Sequence, residues 1–127
     1  MSEAKRFTRI AADGAGGSIF QDDEIALDTP LAVVGMPPMH AGAIPAASAA
    51  VYLEVDMSGG YPHPASHPAP QKQWVVMLRG VIEVEVTDGS RRTFGPGDLF
   101  RAEDTEGTGH ITRLVGDPPF DVLVLPG

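Results

Sequence analysis

The 127-residue chain contains no cysteine. Disulfides, thiolate nucleophiles, cysteine-based zinc sites and iron–sulfur clusters are therefore excluded. Basic residues are also few, because nine Lys and Arg stand against 17 Asp and Glu and the net charge is −8. Nucleic-acid binding normally needs a basic face that releases counterions from phosphates, so we expect no nucleic-acid partner.

Long apolar runs are missing as well. No stretch approaches the roughly 18 apolar residues of a membrane span. The basic residues within positions 1–10 are not followed by the apolar segment of a secretory signal. We therefore expect a cytoplasmic protein that does not contact a membrane.

A helical period with a cap and a stop is not found anywhere in the chain. The 15 Gly and 12 Pro would damage helix interiors, whereas 43% apolar residues suffice for a packed core. Alternation of apolar and polar residues instead predicts seven to nine short strands, and hence a sandwich or barrel. The clearest strands are expected at 51–57, 74–78, 82–86, 91–94, 98–102, 111–115 and 120–125.

The predicted organisation is an arm followed by one domain. Residues 1–30 are polar and show no clear period, so we expect a loosely docked arm with at most one short strand. Residues 31–127 form the barrel domain. Within it, a Pro-rich loop around 58–72 carries His63 and His67. The prolines forbid a helical zinc pair but pre-order the loop, which favours a metal or ligand site.

His67, Ala69, Gln73 and Gly80 follow one another from this loop onward, and Gly97 and His110 stand on either side of the stretch 103–109. With these spacings the chain, over roughly 47–125, resembles the cupin family of small jelly-roll barrels. In the first cupin motif, His67 stands where the family has its first His, and Ala69 stands where it has the second. Gln73, seven residues before Gly80, occupies the place of the family's Glu.

The second cupin motif is also recognisable. Gly97 opens it, and His110 matches its His, two residues later than in the family pattern. The usual Pro-x-Gly is replaced by residues 103–109. The resemblance implies an all-β, single-domain antiparallel double-stranded β-helix (a cupin jelly-roll barrel) that forms a homodimer. Edge strands that need a cover give the dimer a physical reason, since the arm could pair with a partner's sheet.

The resemblance further implies a divalent transition metal (Zn, Fe, Ni, Mn or Cu) held by His67, Gln73 and His110. His63 would be an accessory ligand if the loop folds inward. None of these ligands is anionic, so the metal would keep most of its charge and favour a small anionic molecule. His40 is expected on the surface.

A metal-dependent small-molecule enzyme is therefore the favoured function, of isomerase, lyase or dioxygenase type. The metal would act as a Lewis acid in the barrel mouth. The alternative is a non-catalytic module that binds a small molecule and keeps a degenerate metal site; a purely structural protein is the third hypothesis. Glu103, Asp104 and Glu106 are interpreted as a solvated loop, with a general base as the alternative. The aromatic residues expected to line or fill the barrel are Tyr52, Trp74 and Phe100.

Overall fold

The computed structural model describes residues 3–44, 49–55, 66–117 and 119–127. These parts contain strands and no helix, so the all-β prediction is confirmed. Among them, accordingly, no helix is long and apolar enough to cross a membrane. The strands are β1 (Glu3–Ala12), β2 (Ser18–Leu27), β3 (Thr29–Leu31), β4 (Met39–Ala41), β5 (Val51–Val55), β6 (Gln73–Arg79), β7 (Val81–Glu85), β8 (Arg91–Phe94), β9 (Leu99–Ala102), β10 (Ile111–Val115) and β11 (Phe120–Pro126).

The strands form three sheets. The largest has six strands in the order β2-β1-β9-β6-β11-β5, the second has the order β10-β7-β8, and β3 pairs with β4. Every strand pair is antiparallel except β1 with β9. Within the described ranges, none of the sheets closes on itself into a barrel.

The alternating segments of the sequence fold as predicted. Strands are present at all seven of the expected places from 51 to 125, although β5 is described only to Val55. Gly89 adopts a φ of +89° in the turn between β7 and β8, which an L side chain rarely adopts. The main core consists of Ile10, Val75, Met77, Ile82, Val84, Val86, Phe94, Phe100, Phe120, Val122 and Val124.

The N-terminal segment differs from the expected loosely docked arm. It forms two ten-residue strands, and β1 lies inside the six-stranded sheet against β9. Ile10 belongs to the main core, whereas Phe7 packs with Trp74 and Leu99 in a second cluster. Because β1 buries Phe7 on one face and Thr8 and Ile10 on the other, it shows no period of two. The boundary between residues 30 and 31 stays a prediction.

The aromatic residues expected to line the barrel are not all inside. Phe100 is buried in the main core, Trp74 is buried in the second cluster with Phe7 and Leu99, and Tyr52 is 63% exposed on the edge strand β5. Its hydroxyl donates to Asp121 Oδ2 at 2.7 Å. Tyr52 therefore ties β5 to β11 from the exposed side of the sheet and does not contribute to the interior.

Candidate functional site

A pocket of about 270 Å³ lies between strands of the six-stranded and three-stranded sheets. All three predicted metal ligands, His67, Gln73 and His110, line it. These residues are spread over 44 positions of the sequence, so it is the fold that brings them together in one pocket. The other lining residues are Leu53, Val55, Ala69, Pro70, Val75, Ile82, Phe100, Ala102, Thr112, Phe120, Val122 and Val124.

The two histidines are joined through their backbones. The His67 N–H donates to the His110 carbonyl and the His110 N–H donates to the His67 carbonyl, both at 3.0 Å. Their ring centres are 5.0 Å apart and the ring planes are inclined by 57°. This isolated β-bridge places the Pro-rich loop against the start of β10.

Gly109 permits that approach. Its φ is +78°, and a Cβ at this position would collide with the His67 carbonyl. Only glycine combines the backbone conformation with this close contact. The Gly-rich stretch before His110 therefore shapes the site.

His110 is oriented by a buried carboxylate. Its Nδ1 lies 2.6 Å from Asp104 Oδ2, and Asp104 is fully buried. A carboxylate oxygen accepts hydrogen bonds, so this contact favours the His110 tautomer that donates from Nδ1, and in that neutral tautomer Nε2 carries the lone pair. The other carboxylate oxygen, Asp104 Oδ1, is buried without a hydrogen-bond partner.

The acidic residues before His110 are not a uniform solvated loop. That interpretation is wrong for Asp104, which is buried, and holds for Glu106, which is exposed. Glu103 is half-buried and accepts hydrogen bonds from Arg9 and Arg101. Partial burial raises the pKa of Glu103, but the hydrogen bonds from Arg101 and Arg9 outweigh it and hold the pKa below its usual value.

Ser18 supports the same loop from the N-terminal segment. Its side chain is fully buried, and its hydroxyl donates to the Gly109 carbonyl at 2.6 Å. The Ser18 N–H in turn donates to Thr87 Oγ1 at 2.7 Å. Sequence reasoning missed Ser18 because it lies in the segment interpreted as an arm. It also missed Thr112, whose place two residues after His110 on a strand was the available signal.

The other two histidines are His40 and His63. His40 is exposed on β4, as predicted, and His63 falls outside the described residues. In the described ranges, no three His, Cys, Asp or Glu side chains gather to hold a metal ion. Among the described residues that line the pocket, the side chains with polar atoms are the two imidazoles, the Gln73 amide and the Thr112 hydroxyl.

No protein-family model matches the chain, and a comparison with curated proteins finds no significant match.

Proposed function

We propose that this chain is a small cupin-like jelly-roll protein that binds a small organic anion at a divalent transition metal. His67, Gln73 and His110 would hold the metal, and the protein would act as a metal-dependent isomerase, lyase or dioxygenase. The observation that carries the proposal is the pair of imidazole rings, with centres 5.0 Å apart, in one pocket with Gln73.

The donor set fits a transition metal held mainly by imidazole. Zinc–nitrogen bonds are about 2.0–2.1 Å long, so one ion can reach both rings across the observed separation. Metal-bound histidines commonly donate their other ring N–H to a carboxylate, which is the arrangement of His110 with Asp104. Because His110 Nδ1 is engaged with Asp104 Oδ2, Nε2 would be the atom that binds the metal.

The residues around the pocket have different roles in this proposal. A bound metal supplies Lewis-acid polarisation of a carbonyl or carboxylate. Asp104 keeps His110 in one tautomer, and the Thr112 hydroxyl offers a hydrogen bond to the bound molecule. The apolar side chains around the site lower the local polarity and strengthen electrostatic interactions there. All three proposed ligands are neutral, so the metal would keep its positive charge and the site would favour an anion.

A non-catalytic binding module is the second candidate. It is favoured by the absence, among the described residues that line the pocket, of a third His or an acidic side chain. The pocket would then bind its organic molecule through hydrogen bonds from His67, Gln73 and His110 alone.

Metal analysis of protein purified without an affinity tag decides between the two functions. We expect a stoichiometric transition metal that is lost in His67→Ala and His110→Ala and kept in His40→Ala, the exposed control. A metal-free wild-type protein that still binds its organic molecule would establish the binding module instead.

A homodimer in the cytoplasm is also part of this proposal. Because β1 pairs within its own sheet, a partner would meet an edge strand, β2 or β5.

A further inference from the structure

The pocket is polar at one end and apolar along the rest. Strand register places Gln73 on β6 opposite Ala102 on β9. The next lining pair along the same strands, Val75 and Phe100, is apolar. His67 and His110 contribute the other large polar groups. Gln73 therefore marks the last polar layer of the six-stranded sheet before an apolar one begins.

Strands β11 and β5 extend this apolar part. Val124 lies opposite Val75, and Val122 lies opposite Leu53. Phe120 lies opposite Val55 in the next lining layer. Val122, Val124 and Phe120 are buried in the core cluster. Every lining residue contributed by β5 and β11 is thus apolar.

Charge and size restrict what such a pocket can hold. Among the described residues, none of the side chains that line it is Asp, Glu, Lys or Arg. A sugar or a second carboxylate in the apolar part would lose its hydrogen bonds to water without replacement. An apolar cavity of about 150 Å³ takes up benzene, so the observed volume has room for roughly ten non-hydrogen atoms.

We propose that the ligand is a small monocarboxylate with a compact aliphatic or aromatic body. Its carboxylate lies at the histidine end, and its body lies between β5, β6, β9 and β11. This inference rests on the proposed function, because the metal held by the histidines takes the charged head. It adds that the pocket selects among carboxylates by the apolar body of the ligand and not by further polar groups.

Calorimetry on the metal-loaded protein with acetate, butyrate, cyclohexanecarboxylate and 3-phenylpropionate tests the proposal. We expect affinity to rise about fourfold per added CH₂ and to stop rising near ten non-hydrogen atoms. Tetrahydropyran-4-carboxylate, which replaces one ring CH₂ by oxygen, should bind at least about fourfold more weakly than cyclohexanecarboxylate. A flat series, or equal binding of the two rings, would overturn the proposal.

Variants locate the apolar body. Val122→Thr should weaken cyclohexanecarboxylate about fivefold and leave acetate unchanged, because the new hydroxyl faces only the body. Val115→Thr, at a valine that is 48% exposed and outside the pocket, is the matched control. If Val122→Thr does not fold, Leu53→Ala on the exposed edge strand, with Leu31→Ala as its control, gives the same comparison. Equal effects on acetate and cyclohexanecarboxylate would count against the assignment.

The two proposals fail in different ways. Stripping the metal should weaken all the carboxylates by one common factor and preserve the rise with apolar size. A rise that persists in a protein that never takes up metal would refute the metal site and retain the apolar body. A protein that binds metal but shows no rise in affinity with apolar size would retain the metal site and refute the apolar body.

Discussion

Asp104 Oδ2 lies 2.6 Å from His110 Nδ1 in the interior, and both residues are buried. This pair connects the acidic loop after β9 with the pocket. Asp104 sits in place because its carbonyl accepts the Ala69 N–H at 3.0 Å, which ties the loop to the segment that carries His67. One carboxylate thereby fixes the orientation of the only buried histidine in the described residues.

The pair predicts the tautomer of His110. In the metal-free protein we expect the ring proton on Nδ1, seen by nitrogen NMR as a protonated Nδ1 and an unprotonated Nε2. Asp104→Ala should abolish the protected Nδ1–H signal, while Asp117→Asn, at an exposed aspartate, should leave it unchanged. Finding the proton on Nε2 in the wild-type protein would contradict the assigned orientation. In the metal-loaded protein, Asp104→Asn should reduce metal affinity about 10- to 100-fold.

Gly109 provides a test of the bridge between the two histidines. Gly109→Ala should destabilise the fold by about 1–2 kcal/mol for the positive φ and by about 1–3 kcal/mol more for the collision with His67. Gly89→Ala is the matched control, because Gly89 also has a positive φ but faces open space. Urea unfolding measures both variants. Equal losses would show that the contact between Gly109 and His67 does not matter.

Local pattern was enough to predict most strands, because β6, β7 and β11 are defined by short-range alternation or short apolar runs. The hairpin of β1 and β2 was not predictable in this way. Arg6 and Arg9 lie next to the residues that β1 buries on its two faces, so no period results. Only the pairing of β1 with β9 explains why Phe7, Thr8 and Ile10 of this polar segment are buried.

The candidate site shows the same division. Motif spacing located His67, Gln73 and His110, but the burial of Asp104 depends on contacts between distant segments. The Glu103 N–H donates to the Ile10 carbonyl at 2.7 Å, which joins the acidic loop to the end of β1. Composition alone suggests a solvated loop there, since neighbouring Glu and Gly residues are typical of exposed turns.

Gln73→Glu tests whether residue 73 is a ligand. A carboxylate is a stronger ligand than an amide oxygen, so the variant should bind zinc at least about tenfold more tightly. Gln71→Glu adds the same charge at an exposed position outside the pocket and serves as the control. Competition with a zinc chelator measures both. A gain shared equally by the two variants would indicate general attraction of the cation and not ligation.

The network around Asp121 predicts acid sensitivity at the edge of the sheet. The hydrogen bond from Tyr52, opposed by burial and reinforced by Arg79, holds the pKa of Asp121 below its usual value. A carboxyl whose folded pKa is below its unfolded value stabilises the protein above the unfolded value, about 3.9, and this stabilisation is lost as pH falls through the folded pKa. Tyr52→Phe should therefore shift acid unfolding to higher pH.

Urea unfolding between pH 7 and pH 3 measures this shift. The double variant Tyr52→Phe/Asp121→Asn is the control, compared with Asp121→Asn alone, because removal of the carboxyl should abolish the effect of Tyr52 on the acid slope. An effect that persists in the Asp121→Asn background would mean that Tyr52 acts through the packing of β5. Since Leu53 and Val55 of that strand line the pocket, ligand affinity should fall over the same pH range as β5 is released.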